Sequence, residues 1–125
     1  MHRVLITGDR EWEDLAGVMG ILTRLQRKHR DDLLIITGGA RGADRLVEGS
    51  CYALGIHCAI VNALWKKHGD AAGPRRNLAM LSLEPNEVIA FHPNLAESKG
   101  TLHMVTAATR AGIRVRIYKE TEHGD

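Results

Sequence analysis

Short runs of Val, Leu and Ile recur along this chain, separated by stretches in which apolar residues return every three or four positions. The runs fall at residues 4–6, 33–36, 56–61, 88–91 and 113–118. They show little polar alternation, the pattern of strands buried on both faces of a parallel sheet. Between them, Leu15, Val18, Met19, Leu22 and Leu25 keep helical spacing, with Arg24, Arg27 and Lys28 facing away. Leu46, Val47, Cys51 and Leu54 make a second stripe, closed by Gly55 as a C-cap. Pro74 followed by residues 77–83 predicts a third helix, with Pro in its first turn, and residues 101–111 a fourth, closed by Gly112. The order βαβαβαβαβ predicts one α/β domain over residues 1–125, a three-layer open parallel sheet of five strands in the order 3-2-1-4-5.

In such sheets ligands bind outside the carboxyl ends of the strands, here near the switch between strands 1 and 4. The segment after strand 2, Gly38-Gly39-Ala40-Arg41-Gly42-Ala43-Asp44, runs straight into a helix. Its glycines allow a ligand close to the backbone, and the open helix amides with the helix dipole form an anion site suited to phosphate. Arg41 adds a charge-assisted contact, and Asp44 can accept from a ribose hydroxyl. The plainer alternative is a tight strand-to-helix turn. A bulky residue at Gly39 is expected to fill the phosphate's space with only modest loss of fold. After strand 1, Gly8 and Arg10 suit a phosphate, Asp9 either lines the site or pairs with Arg10, and Trp12 either stacks on a base or packs under the first helix. After strand 4, Ser98 is an N-cap, and Gly100 and Thr101 supply a second open helix N-terminus. The longest connection, residues 62–77, reads either as a solvated basic loop or as a lid without secondary structure of its own. As a lid it offers Trp65 for stacking, Arg75 and Arg76 for phosphate, and the Asn77 amide.

Composition narrows the classes. The 125 residues are 44% hydrophobic and 26% charged, with a net charge of only +2, which suits a globular chain better than one that neutralises many nucleic-acid phosphates. No run approaches the roughly eighteen apolar residues of a membrane span, so the expected place is the cytoplasm, with no membrane partner. GxxxxGK[ST] is absent, and GxGxxG does not follow strand 1, which removes the main support for a nucleotide-hydrolysing motor or an ordinary nicotinamide dehydrogenase. Cys51 and Cys58 have neither redox nor zinc spacing and read as small buried hydrophobes. His57, His68, His92 and His103 share no metal-ligand spacing, so no metal is assigned.

Gly8-Asp9-Arg10 with Trp12, Gly38-Gly39-Ala40-x-Gly42-Ala43-Asp44, Trp65 with Gly69, Ala72-Gly73-Pro74-x-Arg76-Asn77-x-x-Met80 and Gly100-Thr101 occur in one order. Together, from residue 4 to about 118, they resemble the YspA/YpsA-related branch of the SLOG superfamily. The resemblance implies a Rossmann-like fold and a nucleotide or nucleotide-derived ligand. Related LOG phosphoribohydrolases cleave the base from a nucleoside monophosphate and carry PGGxGTxxE, whose glutamate serves catalysis. Here residues 97–104 read ESKGTLHM, and Met104 stands at the glutamate's place. A thioether can neither take a proton nor stabilise an oxocarbenium ion. The expected function is therefore a binding module, a sensor or sequestering domain for a ligand such as an ADP-ribose-like signal, with no catalytic residue and no required cofactor beyond a bound nucleotide. Met104 is expected to give apolar contact on the sugar-facing side of the crevice. One alternative is an N-glycosidase using Asp9, Asp44 or Glu97. Another is single-stranded nucleic-acid binding, for which five aromatics offer little stacking surface. The LOG resemblance also implies a homo-oligomer.

Overall fold

The computed structural model describes residues 1–119; residues 120–125, the end of the expected 1–125 domain, lie outside the described residues. Strands β1 (His2–Gly8), β2 (Leu33–Thr37), β3 (His57–Ile60), β4 (Glu87–Phe91) and β5 (Arg114–Tyr118) form one sheet in the order β3-β2-β1-β4-β5. Every pairing is parallel. Helices α1 (Leu15–His29) and α2 (Ala43–Leu54) cover one face, and α4 (Ala72–Leu81) and α5 (Lys99–Arg110) the other. The short α3 (Trp65–His68) precedes α4. This is the Rossmann-like three-layer arrangement expected from the alternating pattern.

Side-chain alternation along the central strands builds two cores. Val4 and Ile6 of β1 pack with Val18, Leu22 and Val47 on the α1–α2 side, while Leu5 packs with Met80, Met104 and Ala108 on the α4–α5 side. All five residues of β4 are buried. The outer strands depart from the expectation of burial on both faces. In β3 His57 and Ile60 are exposed, and in β5 Arg114, Arg116 and Ile117 are. Each of these edge strands has one neighbour only, so its outer side chains meet solvent.

The helix ends follow local chemistry. Asp14 caps α1 by accepting from the Gly17 amide at 3.1 Å, and Ser98 caps α5 by accepting from Thr101 at 3.0 Å. Gly55 closes α2 in the left-handed region, φ 71°. The unstructured connection expected over residues 62–77 is a correction: it contains α3, a 3-10 turn at Gly69–Ala71 and the start of α4. Pro74 lies in the first turn of α4, where its missing N–H costs nothing. Cys51 is buried and Cys58 half-buried, and both are free thiols. No helix among the described residues is long and apolar enough to cross a membrane.

At the amino ends of the strands, Glu87 is 4% exposed and fully engaged. Its Oε2 meets His2 Nε2 at 2.8 Å, and its Oε1 accepts from Arg116 at 2.8 Å and lies 3.5 Å from Arg114. Burial alone would raise this carboxyl, but the Arg116 and His2 hydrogen bonds and the two guanidinium charges outweigh it and hold the group down to about 2.

Two stability tests follow from this burial pattern. The Glu87 contribution is present above the ordinary glutamate range near 4.5 and is lost as pH falls towards 2, so Glu87→Gln should cost about 2–3 kcal/mol at neutral pH and flatten the decline in acid, read from urea midpoints across pH 2–7. Met104 is 0% exposed, inside the α4–α5 core and away from the crevice wall where it was expected. A Met104→Glu substitution should therefore bury an unpaired carboxylate and destabilise by about 3 kcal/mol or more, a loss the same urea titration measures.

Candidate functional site

The loops after β1, β2 and β4 and the α3–α4 segment enclose a cleft of about 750 Å³ at the carboxyl ends of the strands. Beside it lies a pocket of about 510 Å³ walled by Gly38, Gly39 and Ala40 together with Arg10, Arg41, Trp65 and Arg76. The backbone cradle expected in the strand-2 loop is already occupied. The Gly38 and Ala40 amides donate to Asp44 Oδ2 at 3.2 and 3.1 Å, and the Ala43 amide donates to the Asp9 carbonyl at 3.0 Å. Asp44, in the first turn of α2, folds back to serve as the loop's own anion. These three amides are thus spent on shaping the loop, and the positive character facing the cleft comes from guanidinium groups.

The glycines also do more for the protein than for a ligand. Gly42 has φ 77°, and a Cβ there would run into the backbone of Asp9 and Arg10, so it lets the strand-1 and strand-2 loops touch. Gly39 has φ 69°, and its Cβ would press on Asn62 Oδ1. A bulky residue at Gly39 therefore strains the loop itself, contrary to the expectation that it would only fill ligand space. Gly38 and Gly8 admit close neighbours too: a Cβ would lie 2.6 Å from Arg76 Nη1 at Gly38 and 2.5 Å from the Phe91 carbonyl at Gly8.

The cationic side chains differ in how they are held. Arg76 donates from Nη1 to the Gly38 carbonyl at 2.6 Å and from Nε to Asn77 Oδ1 at 3.2 Å. Arg41 pairs with Glu11 at 2.7 Å between two exposed side chains. Arg10 is exposed, lines the cleft and has no hydrogen-bond or ion-pair partner among the described residues. Asp9 is turned to its own loop, its Oδ1 accepting from the Glu11 amide at 3.1 Å, so the alternative of an Asp9–Arg10 pair does not form. Arg75 is exposed and is not part of the wall.

Of the two tryptophans, Trp65 is half-exposed and lines both cavities. Trp12 is 8% exposed in the α1–α2 core, its ring centroid 5.6 Å from that of Phe91; this is the packing alternative rather than base stacking. Asn77 is buried and ties α4 to α5, donating to the Gly100 carbonyl at 3.2 Å and meeting His103 Nδ1 at 3.1 Å. Gly100 and Thr101 line the cleft, although the Ser98 cap takes the Thr101 amide. The wall also includes Asn62, His92, Lys99 and His103, which carried no motif. His103 neighbours Met104 in a helix, and only its opposite facing distinguishes the two.

Asp44 is 5% exposed, lines the larger cleft, and its Oδ1 is buried without a hydrogen-bond partner. Leaving such an acceptor unpaired costs about 1–3 kcal/mol. Burial raises its carboxyl to about 6, against the lowering effects of the Ala40 and Gly38 amides and the Arg76 charge. Among the described residues, a grouping of metal-ligand types occurs elsewhere: His2, His29 and Glu87 at the amino ends of the strands. There the imidazoles stack 3.8 Å apart and within 8° of parallel, so their in-plane lone pairs do not converge, and Glu87 is held by arginines. That arrangement is an ion-pair cluster.

A family model described as "YspA, cpYpsA-related SLOG family" matches residues 2–68. The chain is 34% identical over 120 residues to the "Gene 61 protein" of Mycobacterium phage D29, an alignment covering 92% of this chain and 94% of the phage protein. No solved structure matches it.

The Asp44 environment makes a testable demand on stability. Because its folded value lies above the ordinary aspartate range near 3.8, ionising it opposes folding increasingly as pH rises from there to about 6. Asp44→Asn, whose carbonyl can still accept from Gly38 and Ala40, should be as stable as the natural chain near pH 4. It should become more stable by about 1–3 kcal/mol at pH 7.5. Denaturant midpoints at the two pH values check this.

Proposed function

Because the chain belongs to the YspA, cpYpsA-related SLOG family, we propose that it binds a nucleotide or nucleotide-derived ligand in this cleft and holds it unaltered. The carrying observation is that Arg10, Arg41 and Arg76 line one pocket with the Trp65 indole and without a carboxylate. Guanidinium groups recognise phosphate by charge-assisted hydrogen bonds, and an exposed indole face suits a flat base. The adjoining larger cleft gives room for a sugar and a second polar group, as in an ADP-ribose-like molecule. Position 104, where the hydrolase glutamate's counterpart is a methionine enclosed in the core, favours holding over cleaving. A sensor or sequestering module is the role this supports.

Arg10 is the cleanest handle on the pocket, since its exposed side chain has no hydrogen-bond or ion-pair partner among the described residues. Arg10→Ala should weaken binding of adenosine 5′-monophosphate or ADP-ribose by about tenfold or more while leaving the urea midpoint unchanged, and Arg75→Ala should leave affinity intact. Isothermal titration of the three proteins decides it. Equal affinities throughout, or release of free adenine during the titration, would move the site or the reaction class.

A further inference from the structure

Two histidines of the cleft wall, which the nucleotide reading does not use, share one arrangement of their ring nitrogens. His92, just past β4, is 8% exposed, and its Nδ1 accepts from the Asn94 amide at 3.0 Å. A backbone N–H can only donate, so the ring carries its proton on Nε2. His103, on α5, reaches the same state through a longer chain. Arg76 Nε has only a proton to give, so Asn77 Oδ1 accepts there and Asn77 Nδ2 is the donor on the other side. His103 Nδ1 therefore accepts, and its proton too lies on Nε2. Among the described residues neither Nε2 has a hydrogen-bond partner, and the unpaired polar atoms that the protein encloses are those of Trp12, His29 and Asp44 instead. Both Nε2–H groups are thus open donors on residues that line the larger cleft.

We propose that His92 and His103 are specificity-determining residues: their Nε2–H groups donate to acceptor oxygens of the ligand beyond the anionic group that the arginines hold. The proposal rests on the nucleotide-binding reading above. It narrows the ligand to a nucleotide extended past its first phosphate, such as a nucleoside diphosphate sugar. The division of the wall supports this. Three guanidiniums and no histidine line the smaller pocket, whereas both imidazoles stand in the larger cleft. An imidazole N–H selects an acceptor and leaves a donor, such as an amine, without a match. Each ring is also tied at Nδ1 before a ligand arrives, so little side-chain freedom is lost on binding.

Asparagine and glutamine separate the two ring nitrogens. An Asn side chain offers an acceptor where Nδ1 lies but does not reach the Nε2 position, and a Gln side chain offers a donor near Nε2 while giving up the Nδ1 acceptor. The experiment titrates the natural chain, His92→Asn, His92→Gln, His103→Asn and His103→Gln with ADP-ribose and with adenosine 5′-monophosphate by calorimetry. The natural chain should bind ADP-ribose about tenfold more tightly than the monophosphate, or better. Each Asn variant should lose about fivefold to tenfold in ADP-ribose affinity and keep its affinity for the monophosphate, and each Gln variant should keep most of both. A purely structural role predicts the reverse order, since Asn preserves the bond to Asn94 or Asn77 and Gln breaks it. That reverse order, Asn variants that bind ADP-ribose like the natural chain, or equal binding of both ligands by the natural chain overturns the proposal and leaves the nucleotide reading intact. Failure of the natural chain to bind either ligand overturns both. Should a variant not fold, nitrogen-15 spectra of the natural chain's imidazoles decide. Both rings should show the Nε2–H tautomer, and their Nε2–H signals should move with ADP-ribose further than with the monophosphate; Nδ1–H tautomers or unmoved signals overturn the proposal.

Discussion

The pairing of β1 with β2 on one side and β4 on the other is the constraint from which the rest follows. Val4, Leu5 and Ile6 are wholly buried, so each strand face must be covered by a helix layer, and every residue of β1 that leaves the sheet does so between two neighbours. At the carboxyl end this packs the strand-1 and strand-2 loops together: the Asp9 amide donates to the Phe91 carbonyl of β4, and the Asp9 carbonyl accepts from Ala43 at the start of α2. Gly42 exists at that junction because no side chain fits there. The cleft is the space left outside three strand ends that the sheet has already aligned.

Two carboxylates, one at each end of the sheet, show how partners decide what burial does. Both Glu87 and Asp44 are about 5% exposed or less, and burial pushes both upward. Glu87 has an imidazole and two guanidiniums against its oxygens and ends near 2, a group committed to holding β1, β4 and β5 in register. Asp44 has two neutral amides on one oxygen, none on the other, and ends near 6. The fully satisfied end is structural. The unsatisfied end lies beside the cleft, where an unpaired buried oxygen costs stability.

How much of this was legible in the chain depends on whether an element's information is local. The central strands, α1, α5 and the strand order could be read because runs such as Leu33-Leu34-Ile35-Ile36 and stripes such as Leu15, Val18 and Leu22 encode burial directly. The helix around Pro74 was legible and is α4, but α3 and the 3-10 turn before it were misread as loop because Gly69 and Gly73 punctuate that stretch. The place of the cleft followed from the strand order, and the loops after β1, β2 and β4 line it. The roles within it were less legible. Nothing local shows that Asp44 would consume the Gly38 and Ala40 amides, that Trp12 would turn into the core, or that His103 rather than Met104 would face the cleft. Those depend on which way a side chain leaves its backbone once distant segments have met.

The hydrogen bond from Arg76 to the Gly38 carbonyl spans 38 residues and joins α4 to the strand-2 loop across the pocket. With Arg41 already paired to Glu11, two of the three guanidiniums lining the pocket are engaged before any guest arrives. Occupancy is then an exchange of partners more than an addition of contacts. A phosphate that recruits Arg76 must leave the Gly38 carbonyl with a new donor or none, and the net affinity is the difference between the bond gained and the bond surrendered. A guest that drew Arg76 away from Gly38 would remove one tie between α4 and the strand-2 loop, while Asn77 would still hold α4 to α5.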